Sequence, residues 1–328
     1  MADGILVYGE SGTFKSTTAG VFADYIVERY NTMNERDDGY VRLVTADSGW
    51  GPMADQVKRG VIKPWSLKAI PRESTLAFVR AASEGYWPCE INNGIANLVG
   101  TDTMYAPEFD GCAGYIWEGL TEVAALLMEH LQTTIKNPAA IKVNQTGQFV
   151  QSIPGTKISY EFSGSTEASY LTVQNITQRY VKRLTGLPVD RVLVTSHEGK
   201  GTDNKTKRLV FGPMIVGKAL TDLVSGWFGM TFHHDSYMYN KVVRIDEGKK
   251  TAHDVTVTKP GVRAYFERHP DCDAPNIFWP AKLECTPRKS ALIEELWPEG
   301  FVPLVRDGKG NYVSGLHTLL KEIDKEDE

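Results

Sequence analysis

The run Gly9-Glu10-Ser11-Gly12-Thr13-Phe14-Lys15-Ser16 constrains this chain more than any other feature. It stands between a short apolar stretch, 4–9, and a segment, 16 to about 30, whose apolar positions recur at helical spacing. Glycines at such a turn let backbone N–H groups point inward around an anion, and a helix starting there presents its positive end to the same anion. A lysine and a hydroxyl at the start of that helix then reach the anion's oxygens and its counter-cation. Strand, glycine-rich turn and helix in this order belong in an α/β architecture.

The same alternation continues down the chain. Residues 40–46 are apolar and β-branched and run into the turn Asp47-Ser48-Gly49; residues 112–117 are a second such run, ending at Glu118; residues 191–196 are a third, releasing a polar, basic loop over 197–208. Helical patterns fall at about 72–85, 120–131 and 170–184. Strands alternating with helices imply a mostly parallel central sheet flanked by helices, with ligands at the carboxyl ends of its strands. Gly9, Asp47, Glu118 and Ser196 each end a predicted strand and are expected on one edge. Two excursions, about 86–111 and 136–168, interrupt the pattern, and in the second Pro154-Gly155 separates two alternating runs that read as an inserted hairpin. This predicts a core over 1–240, a β-rich extension of short strands and turns over 241–320, packed on the core or on a neighbour, and a charged tail over 321–328.

Composition sets outer bounds. With 41% apolar residues and seven Trp, the chain can bury a core. No run reaches the length of a membrane span and no basic leader with a cleavage site is visible, so a cytoplasmic chain without a membrane partner is expected. Cys89, Cys112, Cys272 and Cys285 lack zinc spacing and read as reduced bystanders. The net charge of −5 argues against a surface coated for non-specific duplex binding, although one basic loop can still meet a phosphate backbone.

The glycine-rich run fits the G-x-x-x-x-G-K-[ST] phosphate loop, whose ligands are a nucleoside triphosphate such as ATP and Mg²⁺. Gly9 to Ser16, with Thr17, are the nucleotide-binding candidates, Lys15 for the β and γ oxygens and Ser16 for Mg²⁺. Phe14 stands where the second motif glycine normally stands, on the expectation that the residue before the lysine does not need positive φ. Glu118 is the candidate carboxylate for the metal's water shell, with Asp110 as the fallback, and Asp47 is placed to orient or deprotonate the attacking water. Thr195, Ser196 and His197 are candidates to sense the γ-phosphate.

Over roughly residues 4–240 the chain resembles the phage-encoded RecA-like ATPases associated with single-strand annealing and recombination. The resemblance rests on residues 9–16, on Tyr115-Ile116-Trp117-Glu118-Gly119-Leu120-Thr121-Glu122, on Gln174, and on residues 192–198 leading to Gly212-Pro213. It implies Asp47 as the acid that activates water and Glu118 as the indirect magnesium ligand, where relatives usually carry Asp. It further implies a homo-oligomeric ring or filament in the host cytoplasm, with ATP between subunits and a basic residue in trans, for which Lys282 and Arg288 are candidates. The loop bearing Lys200, Lys205, Lys207 and Arg208 would then contact single-stranded DNA, without an aromatic of its own for base stacking. A single-strand-binding protein or another protein partner fits the same class. The competing reading is an ATP-dependent assembly or regulatory switch that binds a protein and no DNA, in keeping with the acidic charge and with Tyr86, Trp87, Tyr105 and Phe109 in the first excursion.

Overall fold

The computed structural model describes residues 3–46, 50–67, 75–86, 90–92, 95–97, 109–135, 142–143, 149–152, 159–162, 166–202, 209–216, 221–245, 253–266, 277–278, 281–283, 285–307 and 311–325. The chain opens with strand β1 (Asp3–Gly9), helix α1 (Lys15–Asn34), strand β2 (Tyr40–Thr45), helix α2 (Ala54–Lys58) and strand β3 (Ile62–Ser66). Helix α3 (Thr75–Ser83), strand β4 (Cys112–Glu118), helix α4 (Leu120–Ile135), helix α5 (Thr166–Leu184) and strand β5 (Arg191–Thr202) follow. Strands β6 (Leu209–Pro213), β7 (Met230–Ile245) and β8 (His253–Tyr265), helix α6 (Pro287–Leu296), strand β9 (Phe301–Pro303) and helix α7 (Leu316–Asp324) complete the frame.

One sheet carries the chain in the order β9-β8-β7-β1-β5-β4-β2-β3, with β6 alongside β5. The six strands from β7 to β3 run parallel, and β8 and β9 add an antiparallel edge. The chain leaves β4, passes through α4 and α5, and returns as β5 between β4 and β1, so the strand before the glycine turn neighbours β5 and not β4. Two-residue periodicity along β1 sends Leu6 to one face and Ile5 and Val7 to the other, and each lands in a separate core. Leu6 packs with Trp117, Leu127 and Val181 beneath α3, α4 and α5; Ile5 and Val7 pack with Phe22, Ile26, Leu319 and Leu320 beneath α1 and α7. Arg191, buried at the start of β5, pairs with Asp324 at the end of α7, and the Tyr25 hydroxyl donates to the same carboxylate. This polar clamp fastens the last helix to α1 and the sheet.

Several elements differ from the sequence expectation. The first excursion holds a small hairpin, Glu90–Asn92 with Ile95–Asn97. The second holds three antiparallel strands, Lys142–Val143, Phe149–Ser152 and Ser159–Phe162, one more than the expected pair. Strand β3 carries no strand signal in the sequence because Pro64 sits within it, and as the outermost parallel strand it tolerates the missing donor. The loop expected over 197–208 is in part strand: β5 runs on to Thr202 and folds back antiparallel as β6. In place of short strands beyond residue 240, β7 and β8 form a long ribbon registered from His233–Tyr265 to Ile245–His253, with β-branched pairs such as Val242–Thr256 and Val243–Val255. Among the described residues no helix is long and apolar enough to cross a membrane.

Candidate phosphate-binding site

Strand β1 delivers Gly9 directly opposite His234 of β7. A Cβ at Gly9 would stand 2.3 Å from the His234 carbonyl oxygen, so the two backbones can approach only because residue 9 has no side chain. The turn then passes through two left-handed residues, Gly12 at φ 84° and Phe14 at φ 58°. The expectation that the position before the lysine does not need positive φ is therefore corrected. A non-glycine residue held there costs on the order of 1–2 kcal/mol, and the Phe14 ring, 52% exposed, recovers little of that through burial. The Thr13 amide and hydroxyl both donate to the Glu10 carbonyl, at 3.4 and 2.8 Å, and close the turn.

Helix α1 starts at Lys15 with no side-chain cap and no acidic residue in its first turn, which leaves its positive end uncompensated by its own side chains. The Lys15 ammonium is buried and donates to the carbonyls of Gly9 at 2.8 Å and Glu10 at 2.6 Å. Beneath the turn, His234 donates from Nδ1 to the Thr13 carbonyl at 3.0 Å. Burial, with the Lys15 charge beside it, pushes this imidazole down to about 4, so it is neutral near pH 7. Next along β7, His233 meets Glu198 of β5 at 2.6 Å and stacks on Tyr8 at 5.0 Å between ring centroids.

The facing wall comes from the ends of β4 and β5. Glu118 is buried at the tip of β4, and Gly119 turns away from it at φ 87°. The Gly119 amide donates to the Thr195 hydroxyl at 3.0 Å. The Thr121 hydroxyl accepts from the His197 amide at 3.0 Å and donates to the Met214 carbonyl at 2.6 Å, with the Ser196 hydroxyl 3.1 Å away. His197 Nε2 pairs with one Glu122 oxygen at 2.9 Å; the other Glu122 oxygen is buried without a hydrogen-bond partner among the described residues.

Between these walls lies a cleft of about 360 Å³. Ser11, Gly12, Phe14, Lys15, Ser16 and Thr17 line one side, and Glu118, Thr195, Ser196 and His197 the other. Gly9, Glu10 and Thr13 stand behind and hold the turn and Lys15 in place. Among the described residues no cluster of three or more His, Cys, Asp and Glu side chains could cage a metal ion. A hydroxyl from Ser16 and a carboxylate from Glu118 instead line the same cleft, and both are oxygen donors of the kind a hard divalent cation takes.

The other expected residues distribute unevenly. Asp47, Lys205, Lys207 and Arg208 lie outside the described residues, as do Cys89 and Cys272, whereas Cys112 and Cys285 are free thiols. Lys200 is exposed on β5 with its ammonium 5.7 Å from the centroid of the Phe211 ring on β6, so the hairpin supplies an aromatic that the loop lacked. Lys282 is exposed, its backbone bridged to Thr231, and Arg288 is exposed at the start of α6; neither lines the cleft. Asp110 is excluded as the fallback acid: it precedes β4, at the opposite end from Glu118, and pairs with Arg36 at 2.5 Å on the surface. Gln174 is buried and donates to the Val216 carbonyl at 3.0 Å. Sequence reasoning assigned no role to Glu122, although it follows Glu118 by four residues, nor to His234, whose place depends on a strand pairing more than two hundred residues distant. No protein-family model matches the chain, and comparison with curated proteins returned no match.

Proposed function

We propose that this chain is a Mg²⁺-dependent ATPase of the RecA-like kind that works on single-stranded DNA in recombination or annealing, as a ring or filament. The observation that carries the reading is the pairing of the two walls. One offers the Lys15 ammonium and the uncapped start of α1 to an anion, and the other holds the carboxylates of Glu118 and Glu122 across a cleft a few hundred Å³ in volume. The insertion of β5 between β1 and β4 creates this spacing, because it sets the two ends one strand apart.

In this reading the backbone N–H groups of the turn and of the first turn of α1 bind the phosphates, and Lys15 releases its loop carbonyls to meet the β and γ oxygens. Ser16 and Glu118 would hold Mg²⁺, which supplies charge neutralisation to the triphosphate. Thr195, Ser196 and His197, fixed through Thr121 and Met214, stand where a γ-phosphate would end. The Glu122 carboxylate, oriented by His197, would accept a proton from the attacking water, a task the sequence assigned to Asp47. The link to DNA is continuity: the strand that carries these three residues runs on into the hairpin bearing Lys200.

The test is steady-state phosphate release from ATP with and without single-stranded DNA, at low and moderate salt. Stimulation that fades with salt, and that is lost when charge is reversed at Lys205, Lys207 and Arg208, is the expected result. Hydrolysis indifferent to DNA would move the assignment to an assembly switch with a protein partner.

A further inference from the structure

A second groove, about 600 Å³ in volume, begins where the phosphate cleft ends, and the two share Thr17 and Pro52. One wall is the outer face of α1, from Thr17 through Val21 and Asp24 to Glu28. The eleven steps from Thr17 to Glu28 span about 16 Å at 1.5 Å per residue. Asp55 and Arg59, in and just after α2, form the floor. The far wall belongs to the C-terminal part of the chain: Arg306, Asn311 and Tyr312, then Lys321 on α7. No role in the phosphate cleft uses any residue of that far wall.

The chemistry of the groove differs from that of the cleft. Its charges balance: Arg59 bonds Asp24 at 2.6 Å and Asp55 at 2.8 Å, Lys321 lies 3.8 Å from Glu28, and Arg306 is the third cation beside these three carboxylates. A groove so balanced is a poor seat for a second polyanion. It suits a neutral, hydrogen-bonding ligand, with carboxylates to accept from amino and hydroxyl groups and an amide, Gln56, bonded to Asp24 at 2.9 Å. It also holds a flat π-rich element, the Arg306 guanidinium lying 4.3 Å from the centroid of the Tyr312 ring. Arginine planes and aromatic rings are the surfaces on which nucleobases stack.

We propose that this groove takes the nucleoside end of the nucleotide whose phosphates occupy the cleft, with Arg306 and Tyr312 contacting the base and the Asp24 and Asp55 side meeting its polar edge or the ribose. The assignment rests on the phosphate-binding reading above, and it gives the C-terminal part of the chain a task in choosing the nucleotide. Pro52 and Thr17 mark the passage between the two compartments. Arg306 and Tyr312 face each other across two short antiparallel strands, Val305–Arg306 and Tyr312–Ser314; Arg306 is exposed and Tyr312 half-buried, and neither belongs to either core.

The experiment is calorimetric titration of the full chain with Mg·ATP and, separately, with Mg·tripolyphosphate, which has the phosphates and no nucleoside. Tyr312→Ala and Arg306→Ala are expected to raise the Kd for Mg·ATP roughly tenfold or more, the loss of one base stack, with the Kd for tripolyphosphate unchanged. Tyr312→Phe should restore most of the affinity, and Lys15→Ala should weaken both ligands. Unchanged Mg·ATP affinity in both alanine variants, or wild-type tripolyphosphate binding as tight as ATP, would overturn the groove while leaving the cleft in place. Wild-type protein that binds neither ligand would overturn both. Unfolding midpoints equal to wild type establish that each variant is folded, and Arg306→Gln serves where Arg306→Ala is not.

Discussion

Replacing Gly9 by Ala tests how β7 braces the glycine-rich turn. Glycine to alanine in an ordinary strand gains on the order of 0.5–1 kcal/mol, because the unfolded chain has less freedom to lose. At Gly9 the added methyl would lie 2.3 Å from the His234 carbonyl oxygen, 2.9 Å from the Thr13 hydroxyl and 3.0 Å from the His234 Cβ. The carbonyl cannot swing away, since Gly9 and His234 are register partners in a parallel ladder, and the strands must separate or the turn must lift. Overpacking of this kind costs about 1–3 kcal/mol, and two backbone-linked contacts place Gly9→Ala near the upper end. Gly51→Ala is the control, because a Cβ there meets nothing within 4 Å among the described residues. Urea unfolding should show Gly9→Ala destabilised by about 2–3 kcal/mol and Gly51→Ala near wild type, and titration should show weaker triphosphate binding for the first alone. A Gly9→Ala protein as stable as the control would refute the close approach of β1 to β7 at this residue.

Three further outcomes are expected. His234 is held neutral with its folded pKa pushed down to about 4 from an ordinary 6.5, so the unfolded state takes the proton first. Its contribution is complete above pH 6.5 and is lost as pH falls towards 4, by about 3 kcal/mol in all; urea unfolding from pH 7 to 4 should show a loss that His234→Asn does not share. Asp324→Ala leaves Arg191 buried without its closest carboxylate and should cost roughly 3 kcal/mol, with Asp324→Glu recovering part, read from thermal unfolding. Glu118→Gln should retain triphosphate binding while lowering turnover by about 100-fold or more, measured as phosphate release against a binding isotherm.

The strand, glycine-rich turn and helix at the start of the chain and the parallel sheet were legible because both obey local rules: the turn and helix start follow from residue types at fixed spacing, and the buried strands are continuous apolar runs. The convergence of Gly9, Glu118 and Ser196 on one edge followed from that alternation alone. Longer-range features were not legible. The ribbon of β7 and β8 is set by cross-strand pairing over residues whose local composition reads as turns, and β5 continues past Ser196 only because Met214 and β6 receive it. Phe14 violates the local rule outright, holding a left-handed conformation that glycine would adopt without strain. His234 and Arg306 show the general limit: His234 is fixed by pairing with the turn more than two hundred positions earlier, and Arg306 lines a groove with α1, which lies equally far back in the chain.

On the proposed function, the cleft between Lys15 and Glu118 binds and hydrolyses a nucleoside triphosphate. The most direct measurement is phosphate release from ATP by the wild-type chain beside Lys15→Ala, each with Mg²⁺ and with a chelator. Turnover that needs Mg²⁺ and disappears in Lys15→Ala is the predicted result; turnover that survives the substitution, or a wild-type chain that neither binds nor cleaves ATP, would contradict it.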